Sequence, residues 1–282
     1  MKILLTGSGG FVGKNLKSYL FEKYELLCPR SFELDLRNLE DVKRFFNNNE
    51  VDFIIHCGST GGVRGIEDND TTIDDNLAMV NNLIKSKKDE VRMILFGSGA
   101  MYGKDRNLHK VTESNIGEYI PKDLYGQSKL EISKIVEQRK DILMLNIFGC
   151  YGFEEKENRF PSYAIKQNLT HQNIDINQDC IFDYLWVEDM AKIVAYFIEH
   201  KSTNKIINIT PKNSVSLKEI AEIVNKVSNF ESNITVINPT ISYEYTGSND
   251  VLLSEIKNFE FTPIEIGIKK LYEFNKKNLV NI

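Results

Sequence analysis

Tyr125 and Lys129 stand four residues apart in Tyr-Gly-Gln-Ser-Lys, a spacing that brings both side chains to one face of a helix. A tyrosine hydroxyl titrates at about 10 in model peptides. A neighbouring ammonium favours the phenolate, so such a pair can exchange a proton with a reacting oxygen near neutral pH. Spacing alone does not single the pair out, because Tyr19/Lys23 and Tyr272/Lys276 share it and read as helix-surface pairs. Context does. The stretch Gly97-Ser98-Gly-Ala-Met-Tyr102-Gly103 follows the apolar run Met-Ile-Leu-Phe, and its Ser98 hydroxyl can hydrogen-bond a carbonyl or an alkoxide. Ser98, Tyr125 and Lys129 together describe proton exchange at the oxygen of a carbonyl carbon.

A second constellation lies at the start of the chain, where Thr6-Gly-Ser-Gly-Gly-Phe-Val-Gly13 follows the apolar run 2–6. Gly7, Gly10 and Gly13 are spaced for a tight strand-to-helix turn, close approach of a pyrophosphate and close helix–sheet packing, with Phe11 and Val12 opening the helix. The N–H groups of that helix start then face the phosphates. The alternative is a merely tight turn. Lys129 can also hold the nicotinamide ribose of a bound dinucleotide. The second strand ends Cys28-Pro-Arg30-Ser31 with no acid at its tip, and Glu33 comes slightly late. An acid would take a ribose 2′-hydroxyl and a basic residue a 2′-phosphate. Arg30 and Ser31 therefore favour NADP(H), with NAD(H) possible.

These residues need a frame. Apolar runs at 2–6, 25–28, 51–56, 92–96 and 142–147 alternate with amphipathic stretches at 11–21, 39–47, 76–86 and 125–136. Near-continuous apolar strands separated by helix-length segments predict a parallel sheet built from βαβ units and covered on both faces. Past residue 150 the pattern loosens. Residues 152–158 read as a loop, 160–168 as a helix, and a further helix runs from about Asp189 to His200. Ser216 and Glu219 form a capping box before Ile220, Ile223 and Val224. The predicted fold class is α/β, a Rossmann-type doubly wound sheet over residues 1–150, with a smaller interleaved C-terminal domain over 151–282 for substrate.

Composition narrows the function. Hydrophobic residues at 41% and charged residues at 27% are those of a globular chain. A net charge of −5 with no basic run excludes an evident phosphate-backbone face, so no nucleic-acid partner is expected. Cys28, Cys57, Cys150 and Cys180 form no Cys-x-x-Cys pair and read as buried free thiols, and the four histidines show no metal-ligand spacing. With no signal segment and no membrane-length apolar stretch, the expectation is a cytoplasmic protein without a membrane partner.

The glycine loop, Ser98 and the Tyr125/Lys129 pair resemble the extended short-chain dehydrogenase/reductase family, also described as NAD-dependent epimerases and dehydratases. Its members mostly act on nucleotide-linked sugars. The resemblance covers essentially the whole chain. It implies catalytic roles for Ser98, Tyr125 and Lys129, an adenine contact for Asp35 beside Leu36 (otherwise a solvated loop acid), and substrate binding at Asn146 in Asn146-Ile-Phe-Gly149. Asn76 sits in a segment that looks like the family's Asn-containing helix. The stretch Phe182-Asp-Tyr-Leu-Trp-Val-Glu-Asp189 resembles a segment whose final Asp caps the next helix, although many relatives have a diphosphate-binding Arg where Phe182 stands. Arg159 and Lys156 are the nearby cations, and Trp186 reads as core. A homodimer is expected by the same resemblance.

Within the family the chain is most similar to the GDP-fucose synthase branch, in Glu33-Leu-Asp-Leu, in Gly61-Gly62-Val63 and in the serine loop. Those enzymes epimerise C3 and C5 of a GDP-4-keto-sugar with a Cys and a His, then reduce C4 with NADPH. Here the Cys position holds Ala100 and the His position aligns with Asn158, neither of which can move a proton at carbon. Dehydratases carry Asp-Glu directly after the catalytic Ser or Thr, where this chain has Gly99-Ala100. The resemblance thus implies an NADPH-dependent 4-ketoreductase of a nucleotide-sugar, with GDP-6-deoxyhexose or GDP-heptose favoured. An NAD-dependent 4-epimerase and a non-catalytic NADP-sensing protein are the alternatives.

Overall fold

The computed structural model describes residues 1–240 and 243–279. The chain opens as β1 (Lys2–Thr6), α1 (Phe11–Leu20), β2 (Glu25–Leu27), α2 (Leu39–Asn48), β3 (Phe53–His56), α3 (Thr72–Ser86) and β4 (Arg92–Ser98). β5 (Leu108–Val111) leaves this alternation, and α4 (Leu124–Glu137) leads back to β6 (Ile142–Ile147) beside β4. Next come β7 (Gly149–Tyr151), α5 (Phe160–Leu169), β8 (Ile174–Gln178), β9 (Ile181–Phe182) and β10 (Tyr184–Trp186). α6 (Val187–Glu199) and β11 (Ile206–Ile209) then return to the large sheet. The chain continues with β12 (Val215–Ser216), α7 (Leu217–Val227), β13 (Ile234–Asn238), β14 (Glu244–Gly247), α8 (Asp250–Glu255) and α9 (Ile264–Leu279).

The large sheet is six-stranded and parallel, in the order β2-β1-β3-β4-β6-β11. Its last strand, Ile206–Ile209, comes from well beyond residue 150 and has no counterpart among the strands read from sequence. Successive strand residues face opposite sides. Ile3, Leu5, Ile55 and Leu145 pack against α1 and α6, while Leu4, Ile54, Met93 and Leu95 pack against α2, α3 and α4. From β1 the chain steps to β2, then crosses back to β3 on the other side. The loops after β1 and β3 therefore diverge and leave a crevice at the strand C-termini.

A third core, with Phe160, Ile165, Ile174, Ile220, Val224 and Leu271, joins α5, α7 and α9 to the paired β8 and β13. The capping box at α7 forms as read, with Glu219 N–H donating to Ser216 Oγ (3.1 Å) and Ser216 N–H to the Glu219 carboxylate (2.7 Å). Trp186 is buried in this core. Three local readings are corrected. α3 begins at Thr72, before Asn76. α6 begins at Val187, so Asp189 is no cap: it lies buried in the first turn and accepts from the Thr262 N–H (2.6 Å) and hydroxyl (3.0 Å). Tyr272 is core rather than surface, its hydroxyl bonded to Ser228 and Asn168. Among the described residues no helix is long and apolar enough to cross a membrane.

A small sheet, β12-β9-β14-β5, stands over the strand ends. Asp183, fully buried between β9 and β10, accepts from Ser214 Oγ (2.6 Å), Gly247 N–H (2.8 Å) and Lys110 Nζ (3.1 Å). Burial raises its carboxyl, and these donors oppose that rise. Asp183→Ala leaves the buried Gly247 N–H without a partner and takes the acceptor from Ser214 and from the part-exposed Lys110, so it should destabilise the protein by roughly 3 kcal/mol. A lower urea midpoint is expected, and an unchanged midpoint would contradict this role.

Candidate active site

The C-terminal ends of the central strands and the small sheet enclose a cleft of about 1050 Å³. Phe11 and Val12 line one end, Ser98, Tyr125 and Lys129 the middle, and Asn158 and Arg159 the other end. A second cavity, of about 450 Å³, opens at the opposite edge of the strands and contains none of these residues.

At the first end Gly7 has φ of +67°, open to glycine at no steric cost. A Cβ on Gly13 would stand 2.2 Å from the Gly7 carbonyl oxygen, so the helix can approach the turn this closely only without a side chain. Gly10 stands at the N-cap of α1, donates to the Gly7 carbonyl (3.0 Å) and supplies no side-chain cap, which leaves the helix-start N–H groups for an anion. The cradle fits a dinucleotide pyrophosphate. Arg30 is exposed beside it, with Nη1 3.7 Å from where a Cβ on Gly9 would be, and Ser31 is exposed next to it. Asp35 holds the Arg37 guanidinium (2.9 and 3.0 Å) and N–H (3.0 Å), which keeps its carboxyl below the usual range. Leu36 is buried and packs behind the loop that follows β3.

The catalytic trio is brought together. Ser98 ends β4 in extended backbone and accepts from the Ala100 N–H (3.2 Å). Tyr125 and Lys129 lie on α4, capped by Asp123, which accepts from the Gly126 N–H (2.9 Å). Two residues outside the sequence reading of the site hold this helix. Asp68 accepts from the N–H groups of Tyr125 (2.8 Å) and Gly62 (2.7 Å), a carboxylate favourably placed at a helix N-terminus. Asn76 is bonded to both backbone groups of Thr60 and donates to Ser128 Oγ (3.0 Å), which in turn donates to the Tyr125 carbonyl (2.7 Å). Gly62 lies flat against the Tyr125 ring, 2.8 Å from its nearest carbon when measured from a Cβ position.

Electrostatics assign the protonation states. Lys129 is 5% exposed and donates to the Phe96 carbonyl (3.0 Å), and burial pushes it down to about 8. His56, bonded to the Thr6 hydroxyl (2.7 Å), is pushed to about 3 by burial and by the Lys129 charge, so it is neutral. Burial raises Tyr125, and the Ser98 and Ser59 hydroxyls only partly oppose it. The expected lowering of Tyr125 by Lys129 is not found, because the ammonium sits 5.4 Å from the centre of the phenol ring. The phenol is therefore protonated, ready to act as an acid.

The second strand-end reading also changes. Asn146 does not line the cleft: it is fully buried against Gly97 and donates to Asn208 Oδ1 (3.0 Å), an atom that also accepts from the Tyr102 hydroxyl (2.8 Å). Its neighbours Ile147 and Phe148 face the cleft instead. Asn158 and Arg159 do line it, and Arg159 immediately precedes α5. Of the free cysteines only Cys150 is fully buried. Burial raises the Cys57 and Cys150 thiols, both in the cleft wall, far from the thiolate form. Sequence reasoning also missed Arg64, Lys104, Arg106 and Tyr245, which reach the cleft from separate loops and from β14.

A glycine cradle feeding a Ser–Tyr–Lys centre on a parallel sheet defines an NAD(P)-dependent enzyme of the short-chain dehydrogenase type. Residues 3–210 match the NAD dependent epimerase/dehydratase family, and the chain belongs to it. It is similar to GDP-L-colitose synthase of Yersinia pseudotuberculosis, 28% identical over 99% of each chain. It is similar to GDP-6-deoxy-D-talose 4-dehydrogenase of Aggregatibacter actinomycetemcomitans, 25% identical over 97% of each. Among solved structures, the GDP-mannoheptose C4 reductase of Campylobacter jejuni, with NADP bound, has the same fold, with a TM-score of 0.83 over 98% of each chain at 20% identity.

Lys129 is cationic below about pH 8 and loses its charge above it. NADPH affinity that draws on this cation should be full at neutral pH and weaken as pH rises through that value. A fluorescence titration across the neutral to alkaline range checks this, with Lys129→Met as the comparison. Equal alkaline weakening in Lys129→Met would remove the lysine as its source.

Proposed function

We propose that the protein is an NADPH-dependent reductase of the C4 ketone of a nucleotide-linked 4-keto-sugar, lacking epimerase activity at C3 and C5. The observation that carries this reading is a protonated phenol beside a serine hydroxyl, in a cleft lined by Ala100 and Asn158 where the resemblance places the Cys and His that act at carbon. A bound nicotinamide supplies hydride to the ketone carbon. Ser98 hydrogen-bonds the ketone oxygen, and Tyr125 delivers its proton to the alkoxide that forms there. Lys129 holds the cofactor ribose. The raised Tyr125 and the neutral His56 suit reduction, since the proton donor starts protonated and no competing imidazolium lies below it.

The far end of the cleft supports an anionic substrate. Arg64, Arg106 and Arg159 line the cleft in a chain of net charge −5, with Lys104 beside them paired to Asp123 (3.1 Å), a local cationic lining that draws in phosphates. Phe182, where many relatives have Arg, belongs to an aromatic wall with Tyr184 and Tyr245. Burial raises the Tyr184 phenol, and the charges of Arg159 and Arg64, which line the same cleft, oppose that rise. We assign the diphosphate to Arg159 and Arg64. GDP is favoured as the nucleotide because relatives similar over nearly the full chain carry GDP-sugar names. The position of Arg30 beside the glycine turn favours NADPH.

NADPH consumption should be seen when the purified protein is given a GDP-4-keto-6-deoxyhexose or GDP-4-keto-heptose generated by its dehydratase. Tyr125→Phe should lower turnover on the order of 10²–10⁴-fold while NADPH still binds, and full activity in that variant would refute the assignment. Interconversion of ordinary sugar nucleotides without NADPH consumption would make the protein a 4-epimerase instead. Arg30→Ala should weaken NADPH binding about tenfold to a hundredfold and leave NADH binding unchanged. Equal loss for both cofactors would contradict a 2′-phosphate contact.

A further inference from the structure

Tyr245 is a phenol in the cleft that the reaction described above leaves without a role. It is held by two ladders at once, in register with Leu108 of β5 and with Phe182 of β9. Its ring packs against Phe148 and Phe182, with centroids 5.3 and 5.8 Å away. Its hydroxyl ends over the residue after Ser98, with Oη 2.6 Å from where a Cβ on Gly99 would stand. Ser98 opposes the burial-driven rise of this phenol as it does that of Tyr125, and both tyrosines line the cleft with it. Three hydroxyls, from β4, α4 and β14, thus converge on one point of the cleft.

We propose that Tyr245 is a positioning residue whose phenol donates to the Ser98 oxygen, so that the serine proton is directed at the substrate ketone. A serine hydroxyl has one proton to donate and two sites that accept. The Ala100 N–H fills one accepting site at 3.2 Å. Tyr245 fills the second, and the serine proton is then free to point at the ketone oxygen. Tyr125, no longer needed by Ser98, keeps its proton for the alkoxide. The relay from Tyr245 through Ser98 to the ketone also strengthens each bond in it. Burial raises the Tyr245 phenol, which keeps it a donor throughout the neutral range. This inference rests on the ketoreductase reading.

The test is a double-mutant comparison on whichever 4-keto-sugar the unaltered protein reduces. Tyr245→Phe keeps the ring and its packing, and unchanged melting and NADPH affinity would show the fold and cofactor site intact. It should lower kcat roughly five- to tenfold with KM nearly unchanged, and it should have no further effect once Ser98→Ala is present. A kcat equal to that of the unaltered protein would overturn the proposal. So would the same fold-loss in both backgrounds, which would make Tyr245 act independently of Ser98, or a rise in KM alone. Failure of the unaltered protein to reduce any 4-keto-sugar would sink the underlying reading instead, and this proposal with it.

Discussion

Lys129 carries its ammonium into the interior with one hydrogen bond, to the Phe96 carbonyl, and among the described residues no carboxylate pairs with it. Taking a charge out of water without a counter-ion is unfavourable by several kcal/mol, and the fall of this lysine to about 8 expresses that penalty. The surroundings hold it in place regardless. β4 presents the carbonyl, while Asp123, Asp68 and Asn76 fix the start of α4, so the lysine can point only into the cleft floor. Burial, reinforced by the same charge, keeps His56 neutral. A buried cation waiting for a partner is an unfavourable element in a stable fold, and such elements gather where function needs them.

The two sides of the cleft answer different demands. At the glycine turn the requirement is steric, since the contact between Gly13 and the Gly7 carbonyl leaves no room for any side chain. Elsewhere along the cleft it is electrostatic, with cations from two separate loops and from the start of α5 lining the same space. Between them, burial sets the chemistry. It holds Tyr125 protonated and leaves the Cys57 and Cys150 thiols without charge.

Local patterns made most of this legible from sequence. The parallel sheet was visible because strands buried on both faces must be apolar throughout, and Gly7–Gly13 and Tyr125/Lys129 each act within a single turn or helix. Asn146 was misplaced because alternation along β6 turns neighbouring residues to opposite faces: Ile147 reaches the cleft and Asn146 the sheet interior. Asp68 looks like any acid in a polar loop until the fold brings it to the Tyr125 N–H, 57 residues away. Tyr245 depends on β14 pairing with strands far earlier in the chain. The influence of Lys129 on Tyr125 was misread because helical spacing places two side chains together but says nothing of where a charge meets a ring.

The most direct test follows hydrogen itself. NADPH deuterated at the transferring position of its nicotinamide and the accepted 4-keto-sugar would be turned over in ordinary water, and unlabelled NADPH in heavy water, with both products read by NMR. The account predicts cofactor deuterium at C4 alone and no solvent deuterium at C3 or C5. Solvent deuterium at either carbon, or cofactor label anywhere but C4, would contradict it.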